Sequence, residues 1–304
     1  MGWLLLLLLL LAIGLFAAYR WVRANGSIET LDTIDHVFTG DIEPHRVQFG
    51  DDPAQHLYVY SAGDQLGQPI LVFIHGGSWS DGAPEPYGFI GRNFAPEGYV
   101  VVLAGYRLGE AGRFPAMLED SAAAIAWTYR HAEEIGGDPG RIVLMGHSAG
   151  AYNAAMVALD RQWLGREALD PNIVSAVIGL AGPYDFYPFD KDSTRNAFDH
   201  WARPEATQPI NFVHGGAPPF LLITGDADET VRPRNSRALS AGLEEAGSPV
   251  ELLEIEGMDH VGPLIHLAQP LTWWDGRTKQ AALDFMAKTF DPATPSASVK
   301  GAGP

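Results

Sequence analysis

The sequence predicts a doubly wound α/β fold, a mostly parallel sheet with helices on both faces. Three observations carry that reading. Short apolar runs recur at residues 70–74, 100–103, 142–145, 174–180, 220–223 and 250–255, and strands buried on both faces of a parallel sheet need such runs. Helical patterns lie between several of them, at 117–134 (ending at Gly136-Gly137), 149–159 and 234–246; strand alternating with helix implies parallel crossovers. Finally, 304 residues with 46% hydrophobic content are enough to bury a sizeable core.

Taken in order, the chain opens with an unbroken apolar run from 3 to 19, including eight leucines at 4–11, closed by Arg20, Trp21 and Arg23. Such a segment reaches about 20 residues and roughly 30 Å as a helix, the thickness of a bilayer core. A cleaved signal peptide is the rival reading. It needs basic residues ahead of the apolar run and a small-residue site behind it, and here the arginines come behind. Residues 1–25 are therefore expected to be an uncleaved signal-anchor helix, through which the chain meets a membrane. The positive-inside rule places the arginines and the following domain in the cytoplasm; after signal cleavage the domain would instead be secreted or periplasmic.

From 26 to 290 the chain reads as one catalytic domain. Residues 45–49 and 57–61 form an early strand pair across the Asp51-Asp52-Pro53 turn. The stretch 182–218, rich in Pro, Asp and aromatic residues and without period, is too long for a plain connection and suits a lid or pocket wall. The tail at 291–304 is Pro, Ala, Ser and Gly, a composition that disfavours a packed structure.

The formal charge of −17 repels phosphates, so no nucleic-acid partner is expected. It disfavours anionic membrane surfaces too. With no cysteine, disulfides, thiolate catalysis and cysteine-bound zinc are excluded. No phosphate-binding glycine loop, dinucleotide motif or metal-ligand spacing is present, so no metal and no cofactor are expected. Nothing in the sequence sets an oligomeric state.

Gly146-His147-Ser148-Ala149-Gly150 carries the candidate chemistry. A G-x-S-x-G match alone arises by chance roughly one time in ten in a chain this long. Here a strand precedes it and a small-residue helix follows, the strand–turn–helix setting of a nucleophile elbow. Neighbours of a serine on so tight a turn must be tiny; Gly146, Ala149 and Gly150 are, and His147 takes the tolerant position. Directly after the 70–74 run stands His75-Gly76-Gly77-Ser78-Trp79. Consecutive glycines let backbone N–H groups face a developing oxyanion, so Gly77, Ser78 and Ala149 are the expected oxyanion hole. His75 precedes the loop and is expected to orient it. His214-Gly215-Gly216 follows no strand and reads as a loop turn.

An acid and then a histidine should follow at later strand ends. Thr224-Gly225-Asp226-Ala227-Asp228 follows one run and Glu256-Gly257-Met258-Asp259-His260 another. His260 is the expected base, ahead of His266 in the next segment; position alone leaves Asp226 and Asp228 equal.

These residues together resemble the carboxylesterase branch of the α/β-hydrolases, especially the feruloyl-esterase-like (BD-FAE-like) and kynurenine-formamidase-like group with an H-G-G-x-W oxyanion loop. The resemblance runs from about Gly50 to Phe290. Besides the motifs above it includes Gly105-Tyr106-Arg107-Leu108, Phe114-Pro115-Ala116 followed by Asp120, and Gly136-Gly137-Asp138-Pro139. It implies an α/β-hydrolase fold and, through a G-x-x-D-x-x-V pattern, Asp228 as the acid. Two departures stand out: Ser78 replaces the third glycine often found in the loop, and Ser61-Ala62-Gly63 stands where relatives commonly have a proline. The N-terminal segment lies outside the resemblance.

The expected activity is hydrolysis of a small-molecule carboxylic ester through an acyl-enzyme on Ser148. A formamidase or other amidase is the alternative within the class, and a non-catalytic membrane-tethered binding protein the alternative outside it. Tyr184, Phe186, Tyr187 and Phe189, with Trp273 and Trp274, are candidate pocket walls for apolar or aryl groups.

Overall fold

The computed structural model describes Trp3, residues 27–63 and residues 65–291. The anchor expected over 1–25 lies, apart from Trp3, outside the described residues, as does the tail after Asp291. Among the described residues no helix is long and apolar enough to cross a membrane.

An eight-stranded sheet organises the rest. Its strands are β1 (His45–Gln48), β2 (His56–Tyr60), β3 (Gln68–Ile74), β4 (Val100–Ala104), β5 (Gly137–His147), β6 (Val174–Leu180), β7 (Phe220–Gly225) and β8 (Val250–Ile255). Their order is β1-β2-β4-β3-β5-β6-β7-β8. β2 pairs antiparallel with β1 and β4, and every later pairing is parallel. The apolar runs become strands because successive side chains alternate between two cores. Ile70, Val72 and Ile74 of β3 enter one and Leu71 and Phe73 the other; β5 divides likewise, with Ile142 and Leu144 opposite Val143 and Met145.

Helices cover both faces. In chain order they are α1 (Ile28–Thr39), α2 (Gly88–Phe94), α3 (Ala116–Arg130), α4 (Ala149–Leu159), α5 (Gln162–Arg166), α6 (Asp192–Phe198), α7 (Arg234–Glu245), α8 (Gly262–Ile265), α9 (Leu271–Trp274) and α10 (Arg277–Phe290). α3, α4 and α7 pack on the first core, and α1, α2 and α10 on the second. α4 is buried along its whole length, which its alanines and glycine permit.

The helix expected over 117–134 ends earlier, at Arg130, where the His131 N–H caps on Trp127 and Tyr129 carbonyls. The chain then turns, so that Gly137 already pairs with Gln68 at the start of β5. α1 is an addition to the sequence reading. Ser27 caps it, its side chain accepting the Thr30 N–H. A buried polar hub docks it: Asp35 accepts from Arg92, Asn93, Thr39 and the Gln269 N–H.

The crossover directions reverse between β3 and β5, which are neighbours in the sheet. Ligands of open α/β sheets sit at the carboxyl ends of strands at such a switch point. The loop after β3 and the turn after β5 meet there.

Candidate active site

Ser148 occupies the turn between β5 and α4 with φ 54° and ψ −118°. For a residue with a side chain this costs on the order of 1–3 kcal/mol, so the surroundings must hold it. The Ser148 N–H donates to the Leu180 carbonyl at 2.8 Å. A Cβ on Gly146 would lie 2.3 Å from the Gly150 carbonyl oxygen, and one on Gly150 would lie 2.0 Å from that of Ile74. Both glycines are thus required by close backbone approach, which presses the first turn of α4 against β3.

β8 delivers His260 and β7 delivers Asp228 to the same point. His260 Nε2 lies 2.9 Å from Ser148 Oγ, and its Nδ1 lies 2.8 Å from Asp228 Oδ2. With Nδ1–H donating to the carboxylate, Nε2 keeps its lone pair for the serine hydroxyl proton. Asp228 is buried, and its Oδ1 accepts the N–H groups of Thr230 and Val231, each at 2.8 Å. Asp226 is exposed and takes a different part: its Oδ1 accepts the Gly257 N–H at 2.6 Å, bracing the turn after β8.

His147 has a role that the sequence reading passed over. Its Nε2–H donates to the His260 carbonyl at 3.0 Å, and the two rings lie 5.0 Å apart. Burial, together with the neighbouring His260, pushes its pKa down to about 3. A neutral His147 therefore ties the backbone of His260 to the turn that carries Ser148. The sequence signal was its adjacency to Ser148; the partner lies far along the chain.

The loop after β3 is held from several sides. The Ser80 and Asp81 N–H groups donate to the Gly77 carbonyl, and the Gly109 N–H to that of Trp79. Gly77 has φ 120°, and a Cβ there would lie 1.7 Å from the Asp81 carbonyl oxygen; no other residue fits. Trp79 donates its indole N–H to Asn153 of α4 at 3.1 Å. His75 sits between Tyr87 and Tyr106, its Nδ1–H donating to the Gly76 carbonyl at 2.7 Å. Burial pushes its pKa to about 4, so it stays neutral. Among the described residues, the N–H groups of Gly77, Ser78 and Ala149 donate to no protein acceptor. The last belongs to the opening turn of α4, where the helix dipole is positive.

The half-buried Arg107 and the buried Asp120, both noted in the sequence, form a brace after β4. Asp120 accepts from Arg107 N, Nε and Nη2 and from Gln55 Nε2, all within 2.8 Å.

A cavity of about 130 Å³ opens beside Ser148, walled by Ser78, Trp79, Ala149, Phe186 and Val231. The 182–218 segment supplies one side of it. Its backbone hangs on side chains: Asn235 Oδ1 accepts the Tyr184 and Asp185 N–H groups, and Gln208 Oε1 those of Phe186 and Tyr187. Of the aromatic residues expected to wall the pocket, Phe186 alone lines this cavity. Tyr184 is buried against Gly179 and Gly182, and Phe189 stacks on Phe198 behind it. Tyr187, Trp273 and Trp274 are exposed, with Trp273 meeting Phe38 of α1 edge-on. The wall is thinner in aromatics than expected because these rings hold the insertion down or lie elsewhere. Among the described residues no group of His, Asp or Glu could hold a metal ion.

The BD-FAE family model matches residues 57–243. Esterase LipC of Mycobacterium tuberculosis is 32% identical over 242 residues, covering 72% of this chain and 60% of that protein. Isoprenylcysteine alpha-carbonyl methylesterase ICME of Arabidopsis thaliana is 27% identical over 248 residues, covering 74% and 57% respectively. The chain thus spans between half and 60% of the length of the curated relatives that match it first. Among solved structures, esterase 2 of Thermogutta terrifontis, phosphorylated by paraoxon, has a TM-score of 0.68 at 25% identity, covering 81% of this chain and 94% of that one. A truncated carbohydrate esterase from gut microbiota reaches 0.67 at 20% identity, covering 82% and 97%, a likeness of fold.

Proposed function

The chain belongs to the BD-FAE family of α/β-hydrolases, and from that premise we propose that it is a carboxylic ester hydrolase working through an acyl-enzyme on Ser148. One observation carries the reading: the hydrogen-bonded series Ser148–His260–Asp228 ends beside backbone N–H groups that no protein acceptor among the described residues claims. His260 Nε2 takes the hydroxyl proton as Ser148 Oγ attacks the ester carbonyl. The resulting oxyanion receives the N–H groups of Gly77, Ser78 and Ala149. Asp228 holds the imidazole's tautomer and stabilises the imidazolium. His260 then protonates the leaving alcohol, and a water repeats the sequence to release the acid.

The same machinery would open a formamide. The esterase names of relatives that reach 32% identity favour an ester, and comparing a short aryl ester with N-formylkynurenine separates the two. In this reading residues 26–290 are the catalytic domain, with 182–218 as pocket wall. Residues 1–25, on their apolar sequence and trailing arginines, anchor it to a membrane from the cytoplasmic side. The direct test is Ser148→Ala, which should abolish both ester turnover and fluorophosphonate labelling. Full turnover in that variant would end the proposal, and so would absence of labelling in folded wild-type protein.

A further inference from the structure

We propose that the cavity beside Ser148 selects esters that carry a negative charge at the end of an apolar or aryl body, an inference that rests on Ser148 being the nucleophile. Trp79, Phe186 and Val231 form the apolar part of the lining, and its exposed rim carries Lys191, Arg232 and Arg234. Among the described residues no carboxylate pairs with these three cations. Arg92, Arg107, Arg130, Arg141, Arg166 and Arg237 each pair with an Asp or Glu. Among the described residues Arg232 and Arg234 have no such partner, and Lys191 donates only to the Thr230 carbonyl at 2.6 Å. In a chain with 20 basic and 37 acidic side chains, three unpaired cations gather on the lining of this one cavity.

Two carboxylates, Asp190 and Glu229, share the lining, so the rim holds three positive charges against two. The chain's overall field repels anions, whereas this lining carries one more positive than negative side chain. The placement also goes against local stability. α7 begins at Arg234 with no side-chain cap and no acid in its first turn, although a helix dipole disfavours cations at that end. A local rule broken without folding gain marks a functional position.

The guanidinium groups spring from a fixed backbone. Thr230 and Val231 are bonded to Asp228, and Asn235 to the insertion. An arginine so held meets a carboxylate with two parallel N–H donors.

The test uses two matched pairs on the full-length protein. Mono-para-nitrophenyl adipate against para-nitrophenyl hexanoate places the charge on the acyl side. Para-acetoxybenzoate against its methyl ester places it on the alcohol side. Each kcat/KM is divided by the hydroxide rate of the same ester. The anionic member of at least one pair should be favoured about tenfold. That ratio should fall about fivefold with Arg232→Gln and with Arg234→Gln, fall with added KCl, and invert with both residues changed to Glu. Fluorophosphonate labelling of Ser148 reports that each variant is folded. Equal use of both members of both pairs overturns the proposal while leaving the esterase reading intact. A preference that survives loss of both arginines overturns it too. Failure to hydrolyse any of the four esters overturns the esterase reading itself, and this proposal with it.

Discussion

His147 and His75 are both buried near Ser148, and in both burial disfavours the imidazolium. Their pKa values are pushed down from 6.5 to about 3 and about 4. The unfolded chain therefore binds more protons than the folded one between those values and 6.5. The stability these groups contribute is whole above pH 6.5 and drains away as the pH falls toward 4 and then 3. Calorimetry from pH 7.5 to 4.5 should show Tm falling on the acid side. His147→Gln keeps a donor for the His260 carbonyl but removes the titration, so it should flatten that slope; an unchanged slope would contradict the assignment. The two aspartates of the β7 loop separate as clearly. Asp228→Asn should lower kcat by about 10⁴, the scale expected when the base takes the wrong tautomer. Asp226→Asn, which loosens only the Gly257 turn, should cost a few-fold at most in the same steady-state assay. The reverse ranking would reassign the acid.

At the scale of elements, the loop after β3 depends on a conformation that only glycine reaches. Gly77→Ala forces a Cβ into the Asp81 carbonyl, displacing the N–H groups of both Gly77 and Ser78. It should lower kcat by about 10²–10³, with a smaller change in KM and in labelling by fluorophosphonate. Elements of this kind were legible in the sequence because their cause is local. β3, β5 and the elbow are apolar runs ended by glycine motifs, and each became strand, loop or turn where those residues stand. α1 was not legible: its buried face carries Asp35, a residue that reads as surface, and its partner Arg92 lies 57 residues on. The 182–218 insertion showed no period because residues 184–187 bond by their N–H groups to Asn235 and Gln208 side chains, and its helix α6 is only seven residues long. His147 was hidden for the same reason, since the carbonyl it holds is 113 residues away. Asp228 over Asp226 was legible only through the family resemblance; in the fold the difference is burial.

For the whole molecule, the apolar residues 3–19 and the docked domain set a further expectation. Alkaline carbonate washing should leave the full-length protein with the membranes, and a chain starting at residue 27 should appear in the wash; release of both would remove the anchor. The sheet itself sets the terms on which the domain works. Ser148 follows β5, while His260 hangs from β8, three strands outward at the edge of the sheet. Alignment of His260 with Ser148 is accordingly the sum of three inter-strand registers. A slip of one residue at any of them displaces the imidazole by about 3.3 Å, more than a hydrogen bond tolerates. Turnover thus serves as a gauge of the outer half of the sheet, losing its reading when the last strand shifts although the core is still intact, and the His147 bond is a stitch that, like the Ser148–His260 bond itself, spans all three seams at once.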